Sequence, residues 1–141
     1  MQEEIKPKVV IDTNVFVSSF FGGNPRKIID LWKRKKLILC LSKDILDEYV
    51  SILNRTGLQD EIELAELLSL FAKRFNISFT AKTSKIKAIP QDPSDDKFIE
   101  CTVALKAKAI VTGDKALLSL GQYINIEILS PLEFLEKYSR E

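Results

Sequence analysis

Short apolar runs alternate in this chain with segments whose apolar residues recur at helical spacing. The runs are rich in β-branched residues, as in Val9-Val10-Ile11, which is typical of buried strands. In the segments between them, apolar residues such as Ile28, Leu31 and Trp32 recur at i, i+3 and i+4, which indicates amphipathic helices. Strands are therefore predicted at residues 8–11, 37–41, 76–80, 109–112 and 126–129.

Capping residues mark where the intervening helices begin. A Ser or Asn before a helix accepts hydrogen bonds from free N–H groups of the first turn, and Pro suits that turn. Strand and helix then alternate, which predicts an α/β fold with a parallel sheet covered by helices on both faces, in a single domain spanning residues 1–141. Helix starts are predicted at Asn24 with Pro25, at Ser42, at Ser94 and at the capping box of Ser130 and Glu133, and a helix end at Gly57.

Histidine is absent from all 141 residues. This excludes a Ser-His-Asp triad, a Cys-His pair and zinc sites that use histidine ligands. The two cysteines, Cys40 and Cys101, lie in apolar stretches, and we expect them to be small buried side chains rather than a disulfide or zinc site. Hydrolytic chemistry in this chain would rest on carboxylates, lysines, hydroxyls or an oxygen-bound metal.

Acidic residues follow two of the predicted strands directly. Asp12 ends the first strand and Asp114 follows the fourth, so both are expected at the carboxyl edge of a parallel sheet, where such sheets bind ligands. Glu48 lies two turns into a helix that follows a strand, and Asp95 and Asp96 open a later helix. Close carboxylates repel one another, and Mg²⁺ or Mn²⁺ would relieve that repulsion with the oxygen ligands it prefers. The arrangement predicts a divalent metal site.

Each of these acids also has an ordinary structural explanation. An Asp at a strand end is often a turn residue or a helix cap, which applies to Asp12 and Asp114. Acids in a first helical turn favour its positive dipole end, and a lone Glu on a helix is usually a solvated residue. Only the joint placement at one sheet edge favours a metal site over these alternatives.

Charge is unevenly distributed although the net charge is only +1. Residues 26–36 hold six basic residues against one acid, and residues 44–66 hold seven acids against one arginine. Such segregation could steer a polyanion towards one face, and two solvated helix faces would give the same pattern. We refer below to Lys33, Arg34, Lys35 and Lys36 as the basic cluster.

Four motifs together resemble the PIN domain family, and within it the VapC-like toxin components of toxin–antitoxin systems. They occur in the order of the family and span residues 8 to about 135. The motifs are Ile11-Asp12-Thr13-Asn14-Val15, Ser42-x-x-Ile45-x-x-Glu48, Asp92-Pro93-x-Asp95-Asp96-Lys97-Phe98 and Val111-Thr112-Gly113-Asp114.

The resemblance implies a three-layer α/β/α domain with a mainly parallel five-stranded sheet and metal-dependent endoribonuclease activity. Asp96 is preferred to Asp95 as the third acid because it precedes Lys97-Phe98-Ile99 as the acid of the family does. By the same match, Asn14 and Thr112 order the site, and Asp92 and Asp95 are outer-sphere helpers. The acidic quartet implied for Mg²⁺ or Mn²⁺ and for catalysis is Asp12, Glu48, Asp96 and Asp114.

The mechanism expected from this resemblance is hydrolysis of an RNA phosphodiester bond by a metal-activated water in line with the leaving oxygen. Asp12 and Asp96 would anchor the principal ion, while Glu48 and Asp114 complete its shell or hold a second ion. The implied partners are the RNA substrate, an antitoxin protein and a second copy of the chain in a homodimer. Apolar runs of at most five residues and the lack of a signal sequence predict a cytoplasmic protein without a membrane partner.

Three other functions remain open at the level of sequence. The domain could bind RNA or a protein without cutting, or it could be an RNA-processing nuclease without an antitoxin. A phosphorylatable receiver domain is also doubly wound with acids at strand ends. Such a receiver needs a central phosphorylatable Asp at the end of a strand. No acid follows the strand that ends at Leu41-Ser42, which argues against a receiver.

Overall fold

The computed structural model describes residues 6–56, 61–89 and 93–138, and six strands in these ranges form one sheet. Their spatial order is β3-β2-β1-β4-β6-β5. All neighbouring strands pair in parallel except β5, which is antiparallel to β6. The predicted mainly parallel sheet is confirmed, with one short strand more than expected. The strands are β1 (Lys8–Ile11), β2 (Ile38–Ser42), β3 (Ile77–Thr80), β4 (Ala109–Val111), β5 (Gln122–Tyr123) and β6 (Ile126–Leu129).

Helices cover both faces of the sheet, as predicted. The chain moves from β1 through β2 to β3 in one direction and from β3 to β4 in the other. Right-handed crossovers therefore place the connecting helices on opposite faces. The helices are α1 (Thr13–Ser18), α2 (Gly23–Lys33), α3 (Lys43–Thr56), α4 (Glu61–Ala72), α5 (Asp96–Leu105), α6 (Lys115–Leu120) and α7 (Pro131–Tyr138), with 3₁₀ turns at Ser19–Phe21 and Pro93–Asp95.

Two of the predicted helix starts are confirmed by hydrogen bonds. The Ser42 hydroxyl accepts from the N–H of Ile45 at 3.2 Å, at the start of α3. At α7, the N–H of Glu133 donates to the Ser130 hydroxyl at 3.2 Å, and the N–H of Ser130 donates to the Glu133 carboxylate at 2.9 Å. This reciprocal pair is the predicted capping box.

Two other predicted starts are wrong. Helix α2 begins at Gly23 with Gly22 as its N-cap, because Gly22 adopts a φ of 96° that suits glycine, and Pro25 falls inside the first turn rather than at its first position. Helix α5 has Asp95 as its N-cap, because the preceding 3₁₀ turn takes up Ser94. The helix end predicted at Gly57 lies outside the described residues.

The central strands are the most buried part of the core. Val9, Val10 and Ile11 of β1 have no exposed surface, as expected of a strand with helices on both faces. Both cysteines are free and buried, as predicted. None of the described helices is long and apolar enough to cross a membrane.

Asn76 connects α2 to the start of β3 through its side chain and its backbone. Its side-chain amide donates to the backbone carbonyls of Trp32 and Leu37. Its backbone carbonyl accepts from the Trp32 indole N–H at 3.1 Å. The φ of Asn76 is 52°, a left-handed conformation that Asn tolerates better than most residues. The sequence pattern predicts this residue only as the beginning of a strand.

Substitution of Asn76 should therefore separate these two contributions. We expect Asn76→Ala to lower the free energy of unfolding by about 3 kcal/mol and Asn76→Gly by about 2 kcal/mol, because glycine removes only the amide bonds. Urea unfolding measures both values. Arg74→Ala is the matched control, since exposed Arg74 has a φ of 53°, and it should change stability by less than about 0.5 kcal/mol. A glycine variant as stable as the unmodified protein would contradict a role for the amide.

Candidate active site

Asp12 lies at the carboxyl end of β1, where the strand order diverges towards β2 on one side and β4 on the other. Its N–H donates to the Val111 carbonyl at 2.9 Å, so β4 fixes its backbone. One carboxylate oxygen, Oδ1, accepts from the N–H of Asn14 at 3.3 Å, which caps α1. The other, Oδ2, accepts from the Thr112 hydroxyl at 2.5 Å. These contacts hold a carboxylate that is only 4% exposed.

Asp114 is held beside this position by the start of α6. Its Oδ1 accepts from the N–H groups of Ala116 at 2.8 Å and Leu117 at 3.2 Å, so it is the N-cap of that helix. The N–H of Asp114 donates to the Thr112 hydroxyl at 3.0 Å. Thr112 therefore links Asp12 to the Asp114 backbone through one hydroxyl, an arrangement consistent with its predicted role in ordering the site.

Glu48 reaches the same region from α3. The next residue, Tyr49, is fully buried, donates its hydroxyl to the Ile11 carbonyl and stacks on Phe16 with ring centroids 4.1 Å apart. These contacts bind α3 to the end of β1. The Thr13 hydroxyl then donates to Oε2 of Glu48.

Burial and like charges act together on Asp12. Burial raises the pKa of Asp12 above its ordinary value of 3.8, hydrogen bonds from Thr112 and Asn14 lower it in part, and the charges of Asp114 and Glu48 raise it further. Asp12 thus interacts electrostatically with both Glu48 and Asp114. A bound cation would favour the charged form of the Asp12 carboxylate.

Asp96 makes contacts that are separate from those of Asp12, Glu48 and Asp114. It is 8% exposed, and its Oδ1 accepts from the N–H groups of Ala88 at 3.2 Å and Ile89 at 2.9 Å. One turn further along α5, Glu100 accepts from the N–H of Ile86 at 3.0 Å. Two acids of α5 therefore hold the connection that precedes it. Sequence reasoning did not single out Glu100, and its i, i+4 spacing from Asp96 was the available signal.

Three further residues, Asn14, Asp92 and Asp95, were predicted from the resemblance to support the site. Asp95 is half-buried at the N-cap of α5. Asn14 is exposed and lines an open groove beside Asp114, and its backbone N–H rather than its side chain contacts Asp12. Asp92 lies outside the described residues.

Lys97 contacts one of the candidate site residues, although sequence reasoning quoted it only as part of a motif. Its ammonium lies 3.0 Å from Oε1 of Glu48. Two members of the basic cluster contact other parts of the protein: Lys33 pairs with Glu66 at 2.9 Å, and the Lys35 ammonium lies 5.5 Å from the Phe75 ring centroid.

The donor set suits a hard divalent cation, because it consists of carboxylates and hydroxyls without sulfur or imidazole. The pKa of Asp12 is raised first by burial and then by the charges of Asp114 and Glu48, and a bound cation would offset these effects. Within the described ranges, no three acidic or cysteine side chains are arranged to hold an ion as they stand. A bound cation would need these carboxylates closer together than they stand, and Glu48 among them already accepts hydrogen bonds from Thr13 and Lys97.

Comparison with known proteins identifies the family of this chain. A sequence profile of the PIN domain family matches residues 8–116. The chain is also 35% identical to the uncharacterized protein MJ1680 of Methanocaldococcus jannaschii, in an alignment that covers 98% of this chain and 96% of that protein. The chain belongs to the PIN domain family. PIN domains are generally nucleases, so this membership indicates a nuclease-type hydrolase.

The electrostatic conflict at Asp12 predicts how stability depends on pH. Because the pKa of Asp12 in the folded protein lies above 3.8, the folded protein binds the proton of this carboxyl more tightly than the unfolded chain does. The contribution of Asp12 to stability is therefore lost as pH rises from about 4 through the folded pKa. We expect Asp12→Asn to become more stable relative to the unmodified protein between about pH 4 and about pH 7, without divalent ions.

Urea unfolding at both pH values measures this difference. Asp47→Asn is the control, because Asp47 is an exposed acid on α3 that pairs with Lys43 at 2.8 Å. It should show no such gain. If the free energies of unfolding of Asp12→Asn and the unmodified protein differ equally at the two pH values, the pKa of Asp12 is not raised in the folded protein.

Proposed function

We propose that this protein is an Mg²⁺- or Mn²⁺-dependent endoribonuclease that hydrolyses phosphodiester bonds in RNA. The observation that carries the proposal is the buried carboxylate of Asp12, whose pKa is raised by burial and by the charges of Asp114 and Glu48. A histidine-free chain with this site is suited to oxygen-ligated metal chemistry, and family membership supports a nuclease.

The residues proposed to hold the cation are Asp12, Glu48, Asp96 and Asp114. When bound, a divalent cation supplies a nucleophile at neutral pH and neutralises charge on the scissile phosphate. Thr112 and Thr13 orient the carboxylates of Asp12 and Glu48 by donating hydroxyl protons to them.

The substrate strand is proposed to lie in the open groove beside Asp114. Polar side chains of Asn14, Ser18 and Lys115 line this groove, with Pro25 and Pro131 among its apolar walls. Exposed Lys115 offers a charge for a phosphate. The choice of RNA over DNA rests on the resemblance to the toxin components. The basic cluster adds little support for nucleic-acid binding, since Lys33 and Lys35 already contact other residues.

The proposed biological role is that of a toxin controlled by an antitoxin protein, with homodimerisation as in the resembled family. This role rests on the resemblance alone. An RNA-processing nuclease without an antitoxin has the same site. Inhibition of cleavage by the product of a neighbouring reading frame would support the toxin role, and the absence of any such inhibitor would favour processing.

Cleavage of single-stranded RNA with Mn²⁺ tests the central proposal. We expect Asp12→Asn and Glu48→Gln each to reduce the cleavage rate by at least about 100-fold, because each removes a charged ligand of the cation. Removal of divalent ions should abolish cleavage in the unmodified protein. Asp47→Asn is the matched control for Glu48→Gln, since it removes an acid from the adjacent position on α3.

Two outcomes would overturn this function. Undiminished cleavage by Asp12→Asn would show that the activity comes from elsewhere. Mn²⁺ binding without cleavage of any RNA tested would favour the alternative, a PIN domain that binds RNA or a protein without cutting.

A further inference from the structure

Lys97 contacts one acid of the candidate site, Glu48. Its ammonium is 3.0 Å from Oε1 of Glu48, donates to the Ser94 carbonyl and lies 5.4 Å from the Phe98 ring centroid. The Lys97 side chain is 19% exposed, so its charge lies at the boundary between the site and solvent.

The position of Lys97 in α5 is electrostatically unfavourable. It is the second residue of the helix, where the macrodipole is positive and acids rather than cations are stabilised. The attraction of Glu48 offsets this effect. A cation held against the dipole of its own helix, and directed at a proposed metal ligand, suggests a role in the site rather than helix stability.

Both carboxylate oxygens of Glu48 accept a hydrogen bond. Oε2 accepts from the Thr13 hydroxyl, and Oε1 accepts from Lys97. An incoming divalent cation and the Lys97 ammonium are attracted to the same carboxylate, and two cations repel one another at short range. Because of this repulsion, a metal bound to Glu48 would weaken the contact between Lys97 and Glu48.

We propose that Lys97 is a positioning residue of the nuclease site that competes with the divalent cation for Glu48. In the metal-free protein it holds Glu48 in place. Once displaced, its ammonium is available at the mouth of the site to bind a phosphate oxygen of the substrate strand. A lysine suits this task because it is a compact charge with three donors on a flexible stem. The proposal rests on the metal-dependent function above.

Titration of RNA-free protein with Mn²⁺ by calorimetry tests the competition apart from activity. We expect Lys97→Met to bind Mn²⁺ roughly 5- to 10-fold more tightly than the unmodified protein, because the competing charge is gone. Lys97→Arg retains the charge and should bind Mn²⁺ close to the original affinity. Lys43→Met is the matched control, since it removes the lysine of an exposed ion pair on the helix that holds Glu48.

Cleavage of single-stranded RNA at saturating Mn²⁺ tests the contact with phosphate. Lys97→Met should cleave about 10-fold more slowly or worse, and Lys97→Arg should recover most of the rate. Tighter metal binding combined with slower cleavage is the signature of this role. A lysine with a merely structural role would loosen metal binding and slow cleavage together.

Mn²⁺ affinity that is unchanged or weaker in Lys97→Met overturns the competition, and an unchanged cleavage rate overturns the phosphate contact. Lys97→Gln provides the same measurements if the Met variant does not fold. If the unmodified protein binds Mn²⁺ without cleaving RNA, the ribonuclease proposal fails while the affinity comparison still decides the competition. If it binds no Mn²⁺, both proposals fail.

Discussion

The parallel pairing of β1 with β4 is the constraint on which the rest of the site depends. Ile11 lies in register with Val111, and the N–H of Asp12 continues the ladder by donating to the Val111 carbonyl. Residues far apart in sequence are thereby brought within one hydrogen bond of each other, so that Thr112 contacts Asp12 directly. A slip of one residue would turn the side chains to the opposite face and separate these groups.

This placement creates a repulsion that the protein only partly relieves. Thr112 and Thr13 stabilise the carboxylates of Asp12 and Glu48 through hydroxyl hydrogen bonds, which orient them without cancelling their charge. Lys97 contributes the positive charge opposite Glu48. The same hydroxyls remain compatible with a bound cation, because a carboxylate oxygen has lone pairs to spare. Burial, repulsion and neutral donors together leave negative charge at this edge of the sheet, which supports the proposed cation.

Local patterns predicted the parts of this structure that depend on neighbouring residues. The apolar runs located β1 and β4, and the Ser130–Glu133 capping box was visible because its members interact within one turn. The pair of Lys97 and Glu48 was not predicted, since its members come together only when α3 and α5 pack. The antiparallel β5 was missed for a related reason, because two residues are too short to form a periodic pattern.

Asp96 shows why the identity of a metal ligand needs more than the position of an acid. Its Oδ1 fastens the backbone at Ala88 and Ile89, and Glu100 does the same at Ile86. A carboxylate with two oxygens can hold this connection and still bind a cation, so the two roles are compatible. Substitution of Asp96 would nevertheless release the connection and remove the ligand together. A loss of activity there would therefore not identify Asp96 as a ligand, whereas the contacts of Asp12 lie within the site itself.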